Sequence, residues 1–163
     1  ASDHAKPEDK ARSLHIDPAG NDHTVLLQEV WEEVVEDALI QPTFVLDYPA
    51  ALCPLTRAKR DQPELAERFE LFIGGMEIAN AYTELNDPDV QEANFRQQLA
   101  GLDEDEATFR NVDEDFLEAL RVGMPPAGGL GIGIDRLLML LTGQRSIREV
   151  ILFPLMRPRG AEG

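Results

Sequence analysis

Apolar and polar residues recur along the chain with two different periods, which predict both helices and strands. From Thr24 to the break at Pro42 the apolar residues repeat at helical spacing, so this stretch is predicted as an amphipathic helix. Its predicted apolar face consists of Leu27, Val30, Trp31, Val34, Val35 and Ala38. The residues expected to face water are Glu32, Glu33, Glu36 and Asp37. Further helices are predicted over residues 87–99, 113–123 and 135–142, the first two capped by Asp87 and Asp113.

Runs rich in β-branched and aromatic residues predict strands over residues 43–47, 69–73, 76–85, 128–134 and 150–153. The second and third flank Gly74-Gly75, a strong hairpin signal. A single helical turn is predicted at residues 63–68, and Ser146 with Glu149 fits a capping box. Because hairpin strands and helices mix without a regular strand–helix alternation, the predicted fold class is α+β, with a mostly antiparallel sheet flanked by helices.

The length of the chain fits one domain. Its 163 residues bury roughly two-thirds of their surface on folding, so no disulfide or metal staple is needed. We expect a single domain over residues 1–163, in which residues 1–22 are a loosely ordered lead-in and residues 103–106 a solvated acidic loop. No stretch reaches the ~20 apolar residues that cross a bilayer, and the start lacks the apolar core of a signal peptide. A cytoplasmic protein without membrane contact is therefore expected.

The placement of reactive side chains excludes several chemistries. The single cysteine, Cys53, is expected to be a packing residue. All histidines and lysines lie within the first 59 residues: His4, His15, His23, Lys6, Lys10 and Lys59. A Ser-His-Asp triad, a histidine metal site, a P-loop or a lysine Schiff base is therefore not expected beyond residue 59. The formal net charge of −16 also argues against strong independent nucleic-acid binding by this chain.

The predicted hairpin brings two carboxylates together. With Gly74-Gly75 as a two-residue turn, Glu70 faces Ala79 and Phe72 faces Glu77, so Glu70 and Glu77 are diagonal neighbours on one face. Such a pair can converge on one divalent cation, and oxygen ligands favour magnesium, calcium or manganese over zinc. The alternative is that both glutamates point to solvent, and the pairing alone favours this alternative.

Alternation along the next strand places Asn80, Tyr82 and Glu84 on one face. A carboxylate beside an aromatic ring suits a cationic ligand, although an ordinary half-exposed sheet face accounts equally well for the spacing. Glu77 would then lie on the opposite face. A single pocket that contains all four residues therefore requires a β-bulge near Ile78-Ala79.

The segment GLGIGIDR predicts a glycine-rich strand followed directly by a helix, with Arg136 in the first helical turn. A helix N-terminus with a guanidinium is a good phosphate site. The equally weighted alternative is that the glycines only allow the strand and the helix to pack closely. A metal pair, a cation-binding carboxylate and a phosphate-binding arginine, without a nucleophile, suit reactions driven by positioning and charge neutralisation. Attack of a carboxylate on a nucleotide α-phosphate is one of these.

At these residues the sequence closely resembles the C-terminal part of class II lysyl-tRNA synthetases. The matching segments are QPTFVLDYPA, PLTR, ERFELFIGGMEIANAYTELND, GMPPAGGLGIGIDRLLMLLT and IREVILFPLMRP, which together extend over residues 41–158. GLGIGIDR resembles the third signature motif of class II synthetases, and EIANAYTEL resembles a segment specific to the lysine enzyme and its close relatives. The resemblance implies that residues 23–158 form the C-terminal part of a class II catalytic domain.

The resemblance also implies roles for individual residues. Arg136 would hold the ATP γ-phosphate, and Glu70 and Glu77 would bind Mg²⁺ bridging the ATP phosphates. Asn80 would lie by the reacting carboxylate, Tyr82 would line the lysine pocket, and Glu84 would pair with the ε-ammonium of lysine. The implied partners are lysine, ATP and tRNA(Lys), with a homodimer as the assembled form of the complete enzyme.

One departure from the family is large, because its anticodon-binding barrel and its first and second signature motifs do not occur in this sequence. We therefore expect the isolated chain to be weakly active or inactive, since a charge partner of the transition state is missing. Two other functions stay open. One is a synthetase paralogue that attaches lysine to a protein, although such paralogues differ around PLTR and GIGID. The other is a non-catalytic module that binds lysine or ATP.

Overall fold

The structure is a computed structural model, and it describes residues 7–16, 23–100 and 112–155. Its helices are α1 (Pro7–Ser13), α2 (His23–Val34), α3 (Pro88–Ala100), α4 (Glu114–Val122) and α5 (Ile134–Thr142). Its strands are β1 (Thr43–Leu46), β2 (Arg68–Ile73), β3 (Met76–Thr83) and β4 (Gly128–Ile132). Short 3₁₀ turns cover Glu36–Ala38, Ala50–Leu52 and Ile147–Glu149.

The strands form one four-stranded sheet in the order β1-β2-β3-β4, with every neighbouring pair antiparallel. This confirms the predicted α+β class. The β2–β3 hairpin turns at Gly74 (φ +64°) and Gly75 (φ +71°), and positive φ at both central residues is the type I′ geometry that matches the twist of the strands. Four of the five predicted strands and the turn are therefore confirmed.

The register of β2 on β3 contains the bulge that a single pocket requires. Phe72 pairs with Glu77 as predicted, but Leu71 pairs with Ala79, so Ile78 is the extra residue. Glu70 consequently pairs with Asn80, and the predicted partner Ala79 is wrong by one position. Beyond the bulge, Asn80 returns to the face that Glu77 occupies.

The register divides the sheet into a polar and an apolar face, because directly opposed residues of antiparallel strands share a face. We call the first the site face; its residues are Val45, Arg68, Glu70, Phe72, Glu77, Asn80, Tyr82, Gly129 and Gly131. The opposite face carries Phe44, Leu46, Phe69, Leu71, Ala79, Ala81, Leu130 and Ile132. The charged and amide groups of the sheet are thus collected on one side.

Helix α2 covers one end of the site face through aromatic contacts. The ring of Trp31 lies edge-on to Phe72 at 5.6 Å and to Tyr48 at 6.4 Å between centroids, and Phe72 is fully buried. The buried residue of the helix is Leu26, whereas the predicted core residue Leu27 is exposed. The predicted apolar face of α2 is therefore only partly confirmed, because Val30 and Trp31 are half-buried whereas Leu27 and Val34 are exposed.

The predicted helix caps are confirmed. Asp87 Oδ1 accepts hydrogen bonds from the Asp89 and Val90 amides, and Asp113 Oδ1 accepts one from the Phe116 amide. The capping box of Ser146 and Glu149 also forms, on a 3₁₀ turn. Helix α5 ends at Gly143, whose φ of +69° is the left-handed conformation common at helix ends.

Four stretches differ from the prediction or lie outside the described residues. Residues 63–68 form no helical turn, because Leu65 and Ala66 make isolated bridges to Pro49 and Ala58. Residues 150–155 form no strand with any part of the described chain. Helix α1 lies where no regular structure is predicted, and the acidic stretch 103–106 is outside the described residues. None of the described helices has the length and apolar character required to cross a membrane.

Candidate functional site

Glu70 lies near the centre of the site face and is held by two neighbours. The Tyr48 hydroxyl donates a 2.5 Å hydrogen bond to Glu70 Oε2, and the Arg68 guanidinium forms an ion pair with Oε1. The Glu70 residue is 7% exposed. Each carboxylate oxygen keeps a second lone pair, so the two contacts orient the group without saturating it.

Arg68 and Tyr48 are also coupled to each other. The Arg68 guanidinium carbon lies 4.7 Å from the centroid of the Tyr48 ring, a cation–π arrangement, and Arg68 Nη1 donates to Cys53 Sγ at 3.3 Å. Burial raises the pKa of the Tyr48 hydroxyl, and its hydrogen bond to Glu70 adds to this effect. Burial lowers the pKa of Arg68, but the Cys53 and Glu70 contacts outweigh it and the pKa is raised. The network therefore contains a permanent cation and a neutral phenol.

Glu77 connects the sheet to the start of α5. Asn80 Nδ2 donates to Glu77 Oε1 at 3.0 Å across the bulge. Arg136 Nη1 donates to the Glu77 carbonyl at 2.7 Å and lies 3.5 Å from its Oε2. These groups line a cavity of about 360 Å³ between β3, β4 and the N-terminal end of α5. The cavity combines a carboxylate, an amide, a guanidinium and the positive end of a helix.

Tyr82 and Glu84 extend the site face beyond Asn80. Both side chains are half-buried, and they lie over Gly129 of β4. Within the part of the chain that the structure describes, no basic side chain pairs with the Glu84 carboxylate. A half-buried carboxylate beside an aromatic ring, without a cation of its own, is suited to a cationic ligand.

Glu36 is an additional carboxylate near this site, although the helical pattern predicts that it faces water. It is half-buried in the 3₁₀ turn after α2. Its pKa is raised first by burial, then by the charges of Glu32, Glu70, Asp37 and Glu77. Glu36, Glu70 and Glu77 therefore share one region of negative potential, which a bound cation would relieve.

The structure brings together the residues predicted as a site. Glu70, Glu77, Asn80 and Tyr82 share the site face, and Arg136 reaches Glu77 from α5. Glu70 and Glu77 remain diagonal neighbours, because Glu77 pairs with Phe72, two residues from Glu70. The described residues contain no group of three or more His, Cys, Asp or Glu side chains arranged to hold a metal ion. Two carboxylates are nevertheless enough for Mg²⁺ when phosphate oxygens and water complete its shell, so these residues fit that ion.

Two residues of the Glu70 network were missed by the sequence analysis. Arg68 is the last residue of the helical turn predicted at residues 63–68, and Tyr48 lies just beyond the strand predicted at residues 43–47. A signal for Arg68 existed, since it precedes Glu70 by two residues and a strand places such residues on one face. Tyr48 had no comparable signal, because it lies beyond the end of β1 and its contact with Glu70 of β2 joins residues that are 22 positions apart.

Comparisons with known proteins show the family of the chain. A sequence model of the family described as tRNA synthetases class II (D, K and N) matches residues 13–157. The lysine–tRNA ligase of Pelotomaculum thermopropionicum is 56% identical over 146 residues, which cover 90% of this chain and 29% of the relative. The ligase of Chloroflexus aurantiacus is 55% identical over 136 residues, 83% of this chain and 28% of the relative. The ligase of Clostridium tetani is 58% identical over 135 residues, 82% and 26% respectively. The chain thus spans less than a third of the length of these relatives.

Proposed function

The chain belongs to the class II tRNA synthetases (D, K and N), and on this premise we propose that it supplies part of a site that activates lysine with ATP and transfers it to tRNA(Lys). One observation carries the proposal: the bulge at Ile78 places Glu77 and Asn80 on one face with Tyr82, next to Arg136. The partners in this proposal are lysine, ATP and tRNA(Lys), with a homodimer as the assembled form of the complete enzyme.

Lysine is favoured over aspartate or asparagine by the charge of the proposed side-chain pocket. Glu84 supplies a carboxylate without a basic partner among the described residues, and Tyr82 lies beside it. A carboxylate attracts an ammonium group and repels an aspartate side chain. Tyr82 contributes the wall of the pocket, and Glu84 pairs with the ε-ammonium. Asn80 lies on the same face of β3 two residues before Tyr82, and we assign it to the reacting carboxylate of lysine.

ATP is assigned to the cavity between β3, β4 and α5. The segment GLGIGIDR, which forms β4 and the start of α5, would be the third signature motif, and Arg136 would hold the γ-phosphate. Glu70 and Glu77 would hold Mg²⁺, which neutralises phosphate charge when bound. Arg136 already lies against Glu77, so the phosphate and metal groups are adjacent in this arrangement.

The activation step needs positioning rather than a nucleophile from the protein. An oxygen of the lysine carboxylate forms a bond to the α-phosphorus of ATP, the bond from that phosphorus to the bridging oxygen breaks, and pyrophosphate leaves with the electron pair. Asn80 and Glu84 orient the two ends of lysine in this scheme. Arg136 orients the leaving pyrophosphate and neutralises its charge.

Calorimetric titration of the chain with L-lysine and with L-norleucine tests the lysine assignment. Norleucine keeps the aliphatic chain of lysine but lacks the ammonium group, so lysine binding without norleucine binding is expected. Glu84→Gln is expected to weaken lysine binding on the order of tenfold to a hundredfold, the range for a hydrogen bond to a charged group. Glu118→Gln, at an exposed position of α4, is the matched control. Equal affinity of the chain and its Glu84→Gln variant for lysine would contradict the assignment.

A titration with Mg–ATP tests the nucleotide assignment separately. Arg136→Met is expected to weaken ATP binding and to leave lysine binding unchanged, because Arg136 and Glu84 belong to different subsites. Arg148→Met, an exposed arginine on the turn after α5, is the control. ATP affinity that is the same in both variants would show that the cavity next to α5 is not the nucleotide site.

A further inference from the structure

Glycine and bulky apolar residues alternate along β4. Gly129 and Gly131 lie on the site face, opposite Tyr82 and Asn80, whereas Leu130 and Ile132 lie on the other face. Neither glycine has a φ in the left-handed region, so the backbone conformation does not demand glycine at these two positions. We therefore attribute the need for glycine at these two positions to the side chains that pack over them.

The space above Gly129 is filled by the two residues of the proposed lysine pocket. A Cβ atom at Gly129 would overlap Glu84 Oε1 and would lie 3.3 Å from both Glu84 Cδ and Tyr82 Cε2. A Cβ atom at Gly131 would lie 3.2 Å from Asn80 Oδ1. The neighbouring Gly128 is different, because a Cβ there meets only the Tyr82 carbonyl oxygen at 3.8 Å, an ordinary contact.

We propose that Gly129 is a positioning residue for substrate recognition: the absence of its side chain is what allows the Glu84 carboxylate to lie against the backbone of β4. This inference rests on the proposed function, in which Glu84 binds the ε-ammonium of lysine. Gly129 touches no substrate itself and acts through the position of Glu84.

The structure also indicates what a methyl group at this position would do. The atom that it overlaps is the mobile end of a glutamate side chain, and no backbone atom of another strand lies as close. Relief therefore comes from a rotation of Glu84 rather than from a shift of the sheet. Gly129→Ala is expected to move the carboxylate away from the ammonium site while the fold and the cavity beside Arg136 stay as they are.

The test compares Gly129→Ala with Gly128→Ala in the full chain. Titrations with L-lysine and with Mg–ATP, together with a thermal melt, are performed on both variants and on the unmodified chain. Gly129→Ala is expected to weaken lysine binding on the order of tenfold or more, with ATP affinity and melting temperature close to those of Gly128→Ala.

A rescue experiment separates positioning from general damage. Aspartate is one methylene shorter than glutamate, so Glu84→Asp withdraws the carboxylate from the volume of an alanine methyl group. In the Glu84→Asp variant, adding Gly129→Ala is therefore expected to lower lysine affinity by less than threefold. The effects of the two substitutions on lysine affinity are then strongly non-additive.

The results separate the inference from the proposed function. If the unmodified chain binds lysine and the Gly129→Ala variant binds it equally well, the inference is overturned and the proposed function stands. A Gly129→Ala chain that fails to fold while Gly128→Ala folds also overturns the inference, because only the side chains of Glu84 and Tyr82 are expected to adjust. Additive losses in the double variant overturn it as well. Lysine binding that is equally strong in the unmodified chain and in its Glu84→Gln variant overturns the proposed function and the inference together.

Discussion

Replacing Arg68 by methionine removes the guanidinium beside Glu70 while keeping an unbranched side chain of similar reach. Glu70 is then left with the Tyr48 hydroxyl as its remaining contact in this network. Breaking a buried ion pair by removing one partner costs about 3–5 kcal/mol of unfolding free energy, because the other charge stays buried and unpaired.

The geometry of this pair places the expected cost below that range. The side chain of Arg68 is 25% exposed and that of Glu70 is 10% exposed, so water screens the remaining charge in part. Arg68 Nε is buried without a hydrogen-bond partner in the part of the chain that the structure describes, which reduces what the native pair gains. We therefore expect Arg68→Met to lower the free energy of unfolding by about 2 kcal/mol.

Urea unfolding followed by tryptophan fluorescence measures this cost. Trp31 is the only tryptophan of the chain, and its ring lies against Tyr48, next to the Arg68 side chain. The control is Arg96→Met, which removes an arginine paired with Glu92 one helical turn away but 62% exposed. Such a surface pair contributes little to stability, because water screens both charges. Equal losses of unfolding free energy from Arg68→Met and Arg96→Met would refute the argument that burial makes the Glu70 network stabilising.

Other perturbations test the surrounding fold. The pKa of Glu36 in the folded chain is raised above its ordinary value of 4.5, so the folded chain binds this proton more tightly than the unfolded chain does. The free energy of unfolding therefore falls as the pH rises from the ordinary pKa to the raised pKa of the folded chain. Glu36→Gln is thus expected to raise the melting temperature slightly at pH 7 and to have no effect below about pH 4, as followed by circular dichroism; a destabilised variant at pH 7 would contradict this sign. Gly75→Ala should lower the free energy of unfolding in urea by about 1–2 kcal/mol, because φ is +71° there and the new Cβ would lie 3.4 Å from the Asp37 carbonyl oxygen. An unchanged free energy of unfolding would mean that the hairpin adopts another turn. Asp113→Ala should lose about 1 kcal/mol through its cap of α4, whereas Asp115→Ala, in the same turn but without that bond, should lose less than half as much in the same urea experiment.

Much of the fold follows from local signals in the sequence. The Gly74-Gly75 pair fixes the hairpin because both residues need positive φ, and the caps at Asp87, Asp113 and Ser146 mark helix starts through short-range hydrogen bonds. The alternation in β3 and the need for a bulge near Ile78 also follow from the sequence, since a period of two forces Glu77 and Asn80 apart in a regular strand.

The elements that could not be predicted depend on contacts between distant parts of the chain. A proline-rich stretch reveals neither that Leu65 bridges to Pro49 nor that Tyr48 reaches Glu70. The side of α2 that packs depends on Trp31 meeting Phe72 from another element. The apolar pattern of residues 150–153 predicts a strand, but these residues pair with none of the four strands of the described chain.

A chimeric enzyme tests the central claim most directly, because the chain spans less than a third of its relatives. In the lysine–tRNA ligase of Pelotomaculum thermopropionicum, the matching 146 residues are replaced by those of this chain, and lysine-dependent exchange of pyrophosphate into ATP is measured. The account predicts exchange by the chimera and its loss in Glu84→Gln and in Arg136→Met, with Glu118→Gln unchanged. A folded chimera without lysine-dependent exchange, or one whose exchange survives Glu84→Gln, would contradict the account.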